Sequence, residues 1–73
     1  MTHQIVPQGI YEHYKGNRYQ VLTTALNEAT LEEYVVYKEL HGEGRVWLRP
    51  LTAFCETVQI ENGAVPRFRL ANI

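Results

Sequence analysis

The chain has 73 residues, seven Lys plus Arg, eight acidic residues that are all Glu, three His, and a net charge of −1 at pH 7. A chain this short has room for one domain with a thin core, and its charge balance gives no global attraction to nucleic acid or to an anionic membrane. Cys55 is the only cysteine, which excludes an intrachain disulfide and any multi-cysteine metal site.

Residues 1–8 contain Pro7 and little pattern and read as an arm. They lack a basic segment followed by an apolar run, and no stretch has the length needed to span a bilayer, so a reducing, cytoplasmic location without a membrane partner is expected. From Gly9 the pattern becomes strand, Gly16-Asn17 turn, strand. Period two places Tyr11, His13 and Lys15 on one face of the first strand. In the second, Tyr19, Val21 and Thr23 share a face.

The stretch 34–50, YVVYKELHGEGRVWLRP, has the highest apolar density in the chain and reads as a β-hairpin around a Gly-containing tip. A helix competes for part of it. Thr30-Leu31-Glu32-Glu33 matches a capping box, and Leu31, Tyr34, Val35 and Lys38 fall at helical spacing with Gly42 as a stop. Against it stand Tyr34-Val35-Val36-Tyr37, whose β-branched pair loses rotamer freedom in a helix. The strand is the favoured reading, with 25–33 as a connecting loop.

Arg45, Trp47 and Arg49 alternate with Val46 and Leu48, so the two sets face opposite ways until Pro50, which has no N–H to donate, ends the pairing. Residues 51–55 are expected to form a short helical turn that drops Leu51 and Phe54 onto the core. Residues 57–60 and 65–70 read as strands joined by an Asn62-Gly63 turn, with Arg67 and Arg69 on one face and Phe68 and Leu70 on the other. Short strands with close turn signals suggest an all-β fold, a small, strongly bent antiparallel barrel over residues 9–73.

These same residues carry a family resemblance. Residues 11–21 (YEHYKGNRYQV), Val35-Val36-Tyr37, Trp47-Leu48-Arg49-Pro50 with Phe54 following, and Pro66-Arg67-Phe68 resemble the small bacterial family catalogued as domain of unknown function 1653. The resemblance runs from about Gly9 to Phe68. It implies an SH3-like barrel and no assigned activity. The loop after the second strand departs from the family pattern: Asn27 stands where a His is usual and Ala29 where a Glu is usual, so chemistry resting on that loop is not expected here.

Candidate sites are few. His3, His13 and His41 have no metal-ligand spacing, and with one Cys and no Asp neither a metal site nor a cofactor is expected. The context TAFCETV makes Cys55 a buried, unreactive thiol. Ser is absent and no nucleophile and base stand together, so an enzyme is not expected. Arg45, Trp47 and Arg49 interleave cations with an indole, an arrangement that suits an extended peptide, single-stranded nucleic acid or a planar anion. The alternative is that Trp47 fills the core and the arginines pair with glutamates across the sheet. The expected ligand groove comprises His13, Lys15, Tyr19, Tyr37, Trp47, Arg49 and Arg67. A binding module for a peptide or protein segment is the leading expectation, with RNA or single-stranded DNA as the alternative. A further alternative is a small-metabolite site or enzyme using His13 with Arg49 and Arg67. The chain is expected to be a monomer or a weak homodimer.

Overall fold

In the computed structural model, which describes residues 5–71, the turn signals separate seven short strands and one helical turn. The elements are β1 (Ile10–His13), β2 (Arg18–Leu26), β3 (Glu33–Glu39), β4 (Val46–Pro50), α1 (Leu51–Phe54), β5 (Thr57–Ile60), β6 (Gly63–Pro66) and β7 (Phe68–Leu70). One antiparallel sheet has the order β4-β3-β2-β1-β7, and β5 and β6 form a separate hairpin. No helix among the described residues is long and apolar enough to cross a membrane.

β propensity prevails over the helical signal at residues 30–38. The segment from Tyr34 to Tyr37 lies in β3, and the capping-box residues close a turn instead: Thr30 Oγ1 accepts the Glu32 N–H at 3.2 Å. Asn27 Oδ1 accepts the N–H groups of Ala29 at 2.9 Å and Thr30 at 3.3 Å, an Asx-type turn that admits Leu31 at φ +63°. In the β3–β4 connection, Gly42 and Gly44 take φ +56° and +67°, the left-handed region that glycine enters without steric cost.

The core is Tyr11, Val21, Val35, Tyr37, Phe54 and Phe68, with Ile5, Tyr19, Leu51 and Cys55 packed against it. Its centre is aromatic. Phe54 stacks on Phe68 with centroids 4.1 Å apart and meets the edges of Tyr11 and Tyr37 at 5.5 and 5.3 Å. Such pairs contribute about 0.5–1.5 kcal/mol each beyond their buried area. Pro50 both ends β4 and leads into α1, which drops Phe54 into this cluster as expected.

Three expectations are corrected. The SH3-like barrel does not close: among the described residues β4 pairs only with β3 and β7 only with β1, so the sheet keeps two edges. The single strand expected over 65–70 is broken at Arg67. Pro66 ends the pairing with β5, and Arg67 turns aside, giving its N–H to the Glu56 carbonyl and accepting from the Tyr14 N–H. Thr23 does not follow Val21 on the inner face. The β2–β3 register slips between Val21 and Thr23, so Thr24 lies opposite buried Val35 and Thr23 opposite Val36, as an extra residue in one strand requires. Residues 5–8 of the expected arm are fastened to the sheet, with Gln8 N–H donating to Val21 O at 2.8 Å and Val6 N–H to the Tyr11 hydroxyl at 3.0 Å. Residues 1–4 lie outside the described residues.

Candidate functional site

Antiparallel register brings distant side chains onto one face. Tyr11 lies opposite Tyr19, Tyr19 opposite Glu39, Tyr37 opposite Trp47, and His13 opposite Phe68. Because side chains alternate, His13, Tyr19, Tyr37, Glu39, Trp47, Arg49 and Phe68 all line one cleft of about 270 Å³ on the inner face. Its floor is a lattice of edge-to-face rings: Phe68 meets His13 at 5.0 Å, Tyr37 at 5.5 Å and Tyr19 at 5.6 Å, and Tyr19 meets Tyr37 at 5.4 Å.

Trp47 is 45% exposed, so it forms a wall of the cleft instead of filling the core. It is nevertheless held. Its Nε1–H donates to Glu39 Oε2 at 2.7 Å, the short distance of a charge-assisted bond. Glu39 is only 6% exposed; its Oε1 accepts the Arg45 N–H at 3.1 Å and its Oε2 lies 3.5 Å from Arg45 Nε. The Trp47 hydrogen bond is the main cause that holds the Glu39 carboxyl below its ordinary value; the Arg45 N–H and the charges of Arg45 and His41 add to it, while burial opposes. The Arg45 guanidinium lies 5.5 Å from the centre of the indole, a cation–π contact.

Arg49 faces the cleft from the next inward position of β4. Its Nε donates to the Tyr37 hydroxyl at 3.3 Å and its guanidinium lies 5.8 Å from the Phe68 ring centre. Among the described residues Arg49 has no ion pair, which leaves its terminal N–H groups free to recognise an acceptor. His13 Nδ1 accepts the Lys15 N–H at 3.2 Å, so the neutral ring carries its proton on Nε2. Partial burial, then the charges of Arg49, Arg67 and Lys15, push His13 below its ordinary 6.5.

Five of the seven expected groove residues thus line the cleft, and two do not. Lys15 is exposed in the turn, because β1 stops at His13, whose carbonyl accepts the Gly16 N–H at 2.7 Å; its ammonium lies 5.8 Å from the Tyr14 ring centre. Arg67 sits at the break between β6 and β7 and pairs with Glu56 at 3.3 Å. Glu39 and Phe68 were not expected in the groove. Both were accessible by counting, since Glu39 is two residues from Tyr37 and Phe68 lies opposite His13 in the register, but nothing local marks a Glu beside a turn as buried.

A second depression of about 250 Å³ lies between β1 and the β5–β6 hairpin, where Arg69 and Glu12 satisfy each other at 3.4 Å. Among the described residues no group of three or more His, Cys or acidic side chains is placed to hold a metal. Burial pushes the Cys55 thiol up, away from the thiolate form that reacts. Asn27 and Ala29, at the positions of the departing loop, take part in the turn described above.

A family model described as "Protein of unknown function (DUF1653)" matches residues 9–70. The chain is similar to a solved structure, the crystal structure of a DUF1653 protein from Bordetella bronchiseptica, with 35% identity over 94% of this chain and 90% of that one and a TM-score of 0.84. No curated protein matches.

Proposed function

From the premise that the chain belongs to the DUF1653 family, we propose that it is a non-catalytic binding module that takes an extended peptide or protein segment into the inner-face cleft. Trp47 carries this reading. A chain with a thin core gains by burying its single indole, yet here that indole stands half exposed and is fixed in place by a buried carboxylate. Holding an exposed aromatic in one orientation lowers the ordering cost of binding and suits an anchor residue. Tyr19 and Tyr37 extend the apolar surface beside it, and Arg49 and His13 supply N–H donors at the rim.

Charge pairing favours a peptide over single-stranded nucleic acid. Three of the four arginines in the C-terminal half pair with glutamates, Arg45 with Glu39, Arg67 with Glu56 and Arg69 with Glu12, so few are free for a phosphate backbone. The cleft residues include no Ser, Thr, Cys or Lys, and the carboxylate of Glu39 is engaged by Trp47 and Arg45. The test is titration of the full chain with pooled peptides and pooled oligonucleotides at low and high salt. Peptide binding that Trp47→Ala weakens more than Arg49→Ala supports the reading. Binding of oligonucleotides alone, with steep loss at high salt, refutes it.

A further inference from the structure

β4 is an edge of the five-stranded sheet, and among the described residues it pairs only with β3. The Glu39 N–H donates to the Arg45 carbonyl at 2.9 Å, and Trp47 lies opposite Tyr37. By the alternation of an antiparallel ladder, Arg45, Trp47 and Arg49 direct their backbone groups toward β3, whereas Val46 and Leu48 direct theirs outward. The free edge therefore offers the N–H and C=O of Val46 and Leu48, and the C=O of Pro50. Its inner side carries Arg45, Trp47 and Arg49. The outer side carries Val46 and Leu48, 55% and 65% exposed.

We propose, resting on the peptide reading of the cleft, that the occupant is an acidic extended segment which adds to β4 as a further antiparallel strand. An apolar side chain lies opposite Trp47, with a carboxylate two residues to either side: one opposite Arg49, the other opposite Arg45, whose Nε meets Glu39 but whose side chain is 63% exposed. Backbone bonds at Val46 and Leu48 make the position opposite Trp47 a non-hydrogen-bonded pair, in which side chains approach most closely. The carboxylate opposite Arg49 meets a guanidinium that has no ion pair among the described residues and whose Nε is already steadied by Tyr37. Glu39 touches this wall, and both its oxygens are engaged by Trp47 and Arg45. Residues of the segment that alternate with these lie beside Val46 and Leu48 and are apolar. This makes the recognised pattern acid, apolar, apolar, apolar, acid.

The same charges disfavour a second copy of the chain as occupant. Symmetric pairing of two β4 strands about Trp47 sets Arg45 opposite Arg49 twice, and like charges directly opposite are destabilising. Cationic side chains on an edge commonly serve to prevent such self-pairing. An acidic strand reverses the sign of that interaction.

The test uses the full chain labelled with ¹⁵N and two capped heptapeptides, Ser-Glu-Val-Leu-Val-Glu-Ser and its counterpart with Lys in place of Glu. With saturating acidic peptide, amide exchange at Val46 and Leu48 slows about tenfold or more, while the amides of Trp47 and Arg49 change little because β3 already holds them. The Lys peptide binds about tenfold more weakly or worse, and Arg49→Glu reverses the preference; the comparison of the two peptides on the unaltered chain stands even if that variant does not fold. Shifts at the cleft with no slowing at Val46 and Leu48 overturn strand addition and leave the peptide reading intact. Equal binding of the two peptides overturns the charge preference. Slowing of these two amides without peptide, together with concentration-dependent sedimentation, makes a second copy the occupant and overturns the proposal. If no peptide of either charge perturbs the cleft, both the inference and the reading beneath it fail.

Discussion

Truncation of Phe54 to Ala probes the packing on which the cleft rests. Phe54 is 1% exposed; it lies face to face with Phe68, the ring that forms the cleft floor, and edge-on to Tyr11 and Tyr37. Removing a fully buried Phe side chain costs about 3–5 kcal/mol, through lost transfer energy and the cavity left behind. At about 0.05–0.15 kcal/mol per residue, a 73-residue chain has roughly 4–11 kcal/mol in total. The substitution therefore removes a large share of the stability, with a fall in Tm of about 12 °C or more at roughly 4–8 °C per kcal/mol. Urea unfolding followed by Trp47 fluorescence, with far-UV circular dichroism as a second probe, measures it. A loss below about 1 kcal/mol would show that the stacked pair is not the centre of the core.

Glu39→Gln retains an oxygen acceptor but removes the charge, so the Trp47 indole N–H resonance shifts and peptide affinity falls while the circular dichroism is unchanged; an unmoved indole signal contradicts the clamp. The folded Glu39 carboxyl is held below its ordinary 4.5, so its contribution to stability is present above that value and is lost as pH falls through the lowered one. Trp47 fluorescence tracks this, and a transition centred above 4.5 would refute the assignment. His13 has the opposite charge type. With its folded pKa below 6.5, the unfolded chain binds more protons just below that pH, so its favourable share of stability is complete above 6.5 and declines as pH falls toward the folded value. An NMR titration of the ring with a midpoint at or above 6.5 would contradict the burial and the three cations around it.

The local parts of this structure were legible in the sequence. The β-branched and aromatic run 34–37 predicted β3 against a capping-box signal, and the turn pairs Gly16-Asn17 and Asn62-Gly63 lie at or beside the observed turns. Alternation alone put Arg45, Trp47 and Arg49 on one face, and hairpin register then brought Trp47 beside Tyr37. What escaped the sequence depends on contacts between distant segments. Whether β4 and β7 meet decides barrel closure, and nothing local encodes it. The register slip at Leu22 has no glycine to announce it, so it moved Thr23 off the inner face unseen. Arg67 left the groove because Pro66 and the Glu56 carbonyl bend the chain there. Lys15 left it because the turn begins one residue after His13, earlier than period two implied. Glu39 was hidden for another reason: a carboxylate is buried here only because an indole N–H, a backbone N–H and a guanidinium converge on it.

The inner-face cleft as a peptide-binding surface is tested most directly by mapping chemical shifts of the ¹⁵N-labelled full chain during titration with pooled capped peptides. A peptide-binding cleft gives saturable shifts at the Trp47 indole N–H, the Arg49 Nε–H and the amides of Tyr19 and Tyr37, lost in Trp47→Ala. Saturable shifts confined to the β5–β6 hairpin, or no saturable shift with any pool, would contradict it.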